Sequence, residues 1–504
     1  MPLHVQSILL YHALIDKGLY VCAFWDNDDS LCGNSYNGTR IMLPVSFDSI
    51  DDDVTIIVYS RKYESEIYQQ LISLGCSAFI SAYTLDLSDI QRFSRHIVEE
   101  DFIRIVPENK RSLHKCFFYA DSKDCYQLAS ASSIISTIVK VTDTTKKKAG
   151  SRRILLISHD IDLYGAPIAL QNAAKAIMEY GDIPILCSRT NGSLLPSLLK
   201  DGIPVLIDQY LFDREFFLQL LTIMDIVLVN TFTAQSLDAI ALLNGLSIPV
   251  LWWIHECNAY CSLVPHDRIP DTIEENIHIY CVGEYAQVSL LRVQPNFSTS
   301  ILLYGIVDFN TDIYSDHQFA SDRRLQIITV GGFSVIKGQD IFCEAVRKMN
   351  PDLRGKCDFV FVGRPDPSNK MYLDVMALKS EYPDHIEIAG EVAREKMNEI
   401  LLQCDCMVCA SRDDTMPMFI AEAMMFRKVC ICSENTGFES LIEDGINGFT
   451  YSRNSADELC KKLEYYVRYS ANLKDMKKKS RKTYDEYFAF PMFSNNLMGI
   501  LNTI

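Results

Sequence analysis

From residue 154 onward, short apolar runs alternate with stretches that carry apolar residues at helical spacing. The runs lie at 154–158, 184–187, 204–207, 226–229, 250–254, 277–282 and 300–303. After a break near 309–321 a second series begins, at 325–330, 358–362, 385–388, 406–410 and 429–433. Continuous apolar runs of this length predict strands buried on both faces, and the helical stretches between them predict crossover connections. The expected fold class is therefore α/β, with two doubly wound, Rossmann-like sheets of similar size. Such units bind ligands at the carboxyl ends of their strands, so a cleft is expected between them. Helical patterns at 456–467 and 473–487 follow, and 492–504 reads as a last helix.

The first 138 residues read as a separate α/β unit. Residues 8–17 and 64–74 have helical periodicity, and 19–25 and 54–59 read as strands. The first of these strands runs into Asp26-Asn27-Asp28-Asp29. A strand, a helix and a strand with an acidic end fit one half of a dinucleotide-binding fold, but the opening strand and its glycine loop would have to precede residue 8. The expectation is a fold that begins just inside that pattern, with a structural or docking role. Residues 139–153, polar and rich in Thr and Lys, read as a linker. The remaining boundaries are expected at 154–315 for the first large domain, 316–485 for the second and 486–504 for a terminal helix that could pack back on the first.

Composition narrows the function. The chain has 504 residues and a net charge of −17, which argues against general nucleic-acid binding. Basic residues do gather at Lys146-Lys147-Lys148 with Arg152-Arg153, and at Lys477-Lys478-Lys479 with Arg481-Lys482. The plain reading is a solvated linker and helix face; the sharper one is peripheral contact with anionic lipid headgroups. Seventeen cysteines, an odd number lying mostly in apolar runs, suit free thiols in a reducing cytoplasm. Cys404, Cys406 and Cys409 match no good zinc spacing and read as a buried strand. No apolar stretch reaches the roughly 18 residues of a membrane span.

The chemistry concentrates at Asp413-Asp414-Thr415-Met416-Pro417-Met418-Phe419-Ile420-Ala421-Glu422. Pro417 suits a first helical turn, and the apolar stripe after it has helical spacing. A helix start is a ready anion site, and Asp414 and Glu422 flank it with carboxylates. Hydroxyl groups could be held on either side of a bound phosphate, which is the layout of a nucleotide sugar.

Residues 154–490 resemble the GT-B glycosyltransferases of the large retaining family 4. The motifs stand in the family's order: Tyr164-Gly165-Ala166-Pro167, Trp253-Ile254-His255-Glu256, Tyr304-Gly305-Ile306-Val307-Asp308, Val330-Gly331-Gly332 through Lys337-Gly338, Asp414 to Glu422 as the two-acid signature, Thr436-Gly437-Phe438-Glu439 and Gly445-Ile446-Asn447-Gly448. The first 138 residues more weakly resemble a small Rossmann-like domain attached to some bacterial sugar-modifying enzymes, on 24–29 and Gly38-Thr39-Arg40-Ile41.

The family resemblance implies transfer of a hexosyl or deoxyhexosyl group, with retention and without a metal or other cofactor. The donor would be a nucleotide-diphosphate sugar and the acceptor a glycan or lipid-linked glycan, in bacterial surface polysaccharide synthesis. Its implied catalytic residues are His255, Lys337, Asp414 and Glu422. Its implied donor-binding residues are Gly165, Gly332, Lys337, Arg364, Thr415, Met416, Pro417, Met418, Phe419 and Glu422. Three positions depart from the pattern: the first signature acid is Asp414 rather than Glu, Gly332 stands where the family has arginine, and Tyr304 precedes Gly305 where the family has asparagine. Arg364 is the candidate replacement cation. The departures keep a second reading open, a non-catalytic partner of another transferase. A nucleotide-sugar epimerase would need an acid and base pair across the cleft, and none is evident.

Overall fold

A computed structural model describes residues 151–309, 323–392 and 394–504, together with 116–120, 125–128, 130–145, 150 and short strand segments between 23 and 104. The chain divides into two compact units, one of residues 1–116 and 127–134, the other of 117–126 and 135–504. In the first unit, Ala23–Trp25 pairs parallel with Thr39–Met42, and Ile57–Val58 parallel with Ala78–Ser81. Both strands expected from the sequence contain one of these segments. The expected helices at 8–17 and 64–74 lie outside the described residues, as does the break near 309–321 beyond Phe309.

The second unit holds two sheets. The first has parallel strands in the order Thr299–Ile301, Ile277–Cys281, Val250–Ile254, Ile226–Asn230, Arg153–Ile157, Ile183–Ser188 and Val205–Ile207. At the last edge, Phe117, Phe118 and Tyr119 of Cys116–Tyr119 pair antiparallel with Ile207, Leu206 and Val205. The central strands are buried along their whole length, which is why they read as unbroken apolar runs. Trp252 and Trp253 sit on opposite faces of one strand with no solvent exposure. Each indole N–H has an acceptor, Thr231 O at 2.8 Å for Trp252 and Leu302 O at 2.8 Å for Trp253, as burial requires.

The second sheet is parallel, in the order Ile386–Gly390, Cys357–Val362, Leu325–Val330, Cys406–Cys409, Val429–Ser433 and Phe449–Tyr451. Cys404, Cys406 and Cys409 are buried free thiols in and before one of its strands, and burial pushes the Cys404 thiol up to about 12. They are core side chains.

The two sheets are tied together by the end of the chain. From within the Lys474–Tyr487 helix Arg481 pairs with Asp308 at 2.6 Å, and just after it Ile306 N donates to Phe488 O at 2.8 Å. The terminal helix Phe490–Leu501 then packs on Gly165–Tyr180 of the first half. Phe493 stacks on Trp253 with ring centroids 5.7 Å apart, and Arg152 Nη1 donates to Leu501 O at 2.7 Å. A Cβ on Gly305 would come within 2.5 Å of Phe493, so the family's glycine at this step is a packing requirement.

One boundary differs from the sequence reading. Residues 139–145 belong to the helix Ala131–Thr145 rather than to a linker. The polar face misled: Thr142 lies buried on the inner side, its hydroxyl donating to Ile138 O at 2.7 Å and accepting from Arg153 Nε at 2.8 Å.

Candidate active site

The residues expected on the donor side lie at strand ends of the second sheet. Leu325–Val330 runs into Gly331, Gly332 and a single 3-10 turn, Val335–Lys337, whose Lys337 N–H is capped by the Ser334 hydroxyl. Gly338 follows at φ 66°, and a Cβ there would come within 2.0 Å of Ala410 O, so the turn that aims Lys337 requires glycine. Lys337 Nζ reaches Asp414 Oδ2 at 2.6 Å. Asp414 is 8% exposed and also accepts from the Ser411 hydroxyl at 3.1 Å. Burial works against the Lys337 ammonium, but the adjoining Asp414 carboxylate outweighs it and raises its pKa above the ordinary lysine value.

Behind this pair, Met418–Met425 forms a helix with Pro417 as its N-terminal cap and no capping side chain. Pro417 thus precedes the first helical turn rather than lying in it. Phe419 and Glu422 are both buried in this helix. A Cβ on Gly165, at the start of Gly165–Tyr180 in the first half, would lie 3.8 Å from Met418 Sδ, so the two helix starts come into contact here.

The opposing wall is built from the first sheet. His255 ends the Val250–Ile254 strand and packs against Trp253 at 4.4 Å between ring centroids. Its Nε2 is shielded from solvent and has no hydrogen-bond partner. Burial, with a smaller push from the neighbouring His159, holds its pKa down to about 3, so the ring is neutral at ordinary pH. Glu256 beside it accepts the Phe232 N–H at 2.6 Å and the His255 N–H at 3.0 Å, yet burial still pushes its carboxyl up to about 7. His159 approaches Asp160 at 3.4 Å and hydrogen-bonds Thr231 Oγ1 at 3.1 Å; burial lowers it against the pull of Asp160 and Asp162.

Among the residues expected from the sequence, Lys337 and Asp414 are joined directly, Gly165 lies against Met418 at the helix start, and Glu422 and the His255 Nε2 are buried. Thr415 and Met416 serve the joint between the halves. The Thr415 hydroxyl donates to His255 O at 2.7 Å, and Met416 fills the space beside Gly283 and Gly437. A Cβ on Gly332 would meet nothing within 4 Å. Arg364 follows Gly363, which packs on Gly331 O, but its side chain is 82% exposed, with Glu391 at 3.9 Å. Sequence reasoning missed Asp413, Glu256 and Tyr304. The Tyr304 hydroxyl is buried and unpartnered, and burial together with the charges of Glu422 and Asp414 pushes its pKa well above the ordinary value. The signal was present in the Asp413-Asp414 doublet, since two adjacent acids cannot both face one ligand, and in the acid that follows His255 at a strand end.

Comparison with known proteins agrees with this architecture. The model of the glycosyl transferases group 1 matches residues 311–483, and that of glycosyl-transferase family 4 matches 150–267. A curated relative, the alpha-D-kanosaminyltransferase of Streptomyces kanamyceticus, is 25% identical over 152 residues, 29% of this chain; the match spans 37% of that protein's length. Anabaena HepE, solved with UDP and glucose, superposes with a TM-score of 0.59 at 16% identity over 70% of this chain and all of that one. Sucrose-phosphate synthase of Thermosynechococcus elongatus gives 0.57 at 16% identity, covering 70% of this chain and 98% of that one. With two Rossmann-like halves matched in order by the two models, the chain belongs to the group 1 glycosyltransferases of GT-B architecture.

Proposed function

We propose that the second unit transfers a hexosyl or deoxyhexosyl group from a nucleotide-diphosphate sugar to a glycan or lipid-linked acceptor, with retention at the anomeric carbon. The carrying observation is the Lys337–Asp414 pair at 2.6 Å, set beside a helix start that no side chain caps. A departing diphosphate develops negative charge as the sugar develops positive charge. Lys337 turns from Asp414 to the diphosphate, and the start of the Met418–Met425 helix supplies the remaining stabilisation. Asp414, released, accepts from hydroxyls of the sugar. Glu422 accepts from the ribose hydroxyls, and Arg364 adds positive charge at the rim. The neutral His255 ring offers its unpartnered Nε2 to the transferred sugar. The leaving phosphate takes the acceptor's proton, so the reading needs no metal or other cofactor. HepE, which holds UDP, glucose or UDP-glucose in its structures, lends support through its shared fold.

The wider reading is bacterial surface polysaccharide synthesis in the cytoplasm, at the inner face of the plasma membrane. Among the described residues no helix is long and apolar enough to cross a membrane. The Lys474–Tyr487 helix, with Lys478 79% exposed, would face anionic lipid.

A thermal-shift screen of nucleotide sugars followed by product mapping tests the donor. Lys337→Ala and Glu422→Ala are each expected to lower transfer at least ~100-fold with the fold intact. Unchanged turnover in both would sink the site. The second reading, a catalytically inactive partner subunit, is favoured by the open space at Gly332, where the family carries arginine. Binding of a nucleotide sugar with neither transfer nor hydrolysis would establish it.

A further inference from the structure

Contacts between the two halves gather on Asp413, Thr415 and Met416, just ahead of the Met418–Met425 helix. Asp413 is 7% exposed, and both of its carboxylate oxygens are engaged by the other half. Oδ2 accepts the Ala259 N–H at 2.7 Å and Oδ1 accepts the Tyr285 hydroxyl at 2.9 Å. Two residues on, Thr415 donates to His255 O at 2.7 Å. Met416 packs so closely on Gly283 that a Cβ there would lie 2.6 Å from its methyl carbon. The same stretch of the first half is held from its own side, where Glu256 accepts the N–H groups of His255 and Phe232. The main chain of His255 is therefore bonded at its N–H within its own half and at its carbonyl from the opposite half.

We propose that Asp413 is a positioning residue: with Thr415 and Met416 it latches the donor-binding half onto residues 255–260, so that closure of the cleft and the placing of His255 are one event. The inference rests on the proposed transfer reaction, in which His255 meets the sugar. In that reading Lys337, the start of the Met418–Met425 helix and Glu422, all of the second half, hold most of the donor's phosphates and ribose. The latch therefore acts on turnover and leaves donor capture largely unaltered. A carboxylate accepting two bonds in a buried joint makes a strong link, because its loss leaves a buried N–H and hydroxyl without partners.

The test has two readouts on the full chain. Hydrogen exchange of the Ala259 amide reports the latch itself, and steady-state kinetics with whichever donor the screen identifies report its consequence. Asp413→Ala is expected to speed exchange at Ala259 and across 255–262, and to lower kcat about 10-fold while donor KM stays within about twofold. Asp413→Asn, which keeps an accepting oxygen, is expected to recover part of both. Unchanged exchange in Asp413→Ala overturns the latch, and so does a rise in donor KM with kcat preserved. Should that variant fail to fold, Tyr285→Phe and Thr415→Val each remove one bond and are read in the same way. A wild-type protein that turns over no donor would refute the transfer reaction, while the exchange measurement still decides the latch.

Discussion

At the scale of single residues, the dipeptide His255-Glu256 carries two opposed titrations. Glu256 is pushed from its ordinary 4.5 up to about 7, so the folded chain binds this proton more tightly than the unfolded one. Its contribution to stability is fully present below about pH 4.5 and is lost as pH rises through about 7. His255 is held down from 6.5 to about 3, so its contribution is present above about pH 6.5 and is lost as pH falls through about 3. Urea unfolding at pH 5 and pH 8 should show that Glu256→Gln removes about 1–3 kcal/mol of the wild-type loss between the two values. An unchanged pH slope would place the titration elsewhere. His255→Phe should flatten the acid limb instead. Neither shift was legible in the sequence. The residue types can be read from the dipeptide, but the burial that displaces both pKa values comes from the fold, in which Trp253 packs on the His255 ring. Lys337 and Glu422 could be singled out from motif order, whereas the contacts of Asp413 depend on an N–H 154 positions away.

At the scale of elements, the period of the apolar runs located nearly every strand of the second unit to within a residue or two, since strands buried on both faces have no polar alternation to blur them. Phe449–Tyr451, an edge strand, and Cys116–Tyr119, next to the edge, escaped because they are short and their buried residues alternate with more exposed ones. Close approaches were likewise invisible, although the glycine at 305 was flagged by its motif. Gly305→Ala would drive a methyl into Phe493 and should cost about 1–3 kcal/mol in chemical denaturation. Reducing the clash with Phe493→Ala in the same chain should be less than additive with it, because the two sites touch. Full additivity would mean that the helix Phe490–Leu501 does not pack there.

At the scale of the molecule, the terminal helix contributes Phe490, Phe493, Leu497, Met498 and Leu501 to buried positions. A chain ending at Phe488 would strip these from the first half, and a loss of cooperative thermal unfolding is expected. A sharp transition near that of the full chain would show the helix to be dispensable. The sequence located this helix and its packing on the first half was expected; what it did not reveal is the crossing beside Ile306 and Phe488 that carries the helix there. That crossing alters how the protein should be viewed as a modular object. The first half is not a contiguous segment: it takes in residues 490–501, and the half built on the second sheet lies within it as an insert entered after Phe309 and left at Phe488. Anyone exchanging donor halves between relatives to change sugar choice must therefore cut this chain twice, once on each side of the insert, and carry the terminal helix with the acceptor half. A single-junction chimera would pair the Trp253 face with a foreign helix and fail for lack of a lid, whatever the merits of its active site.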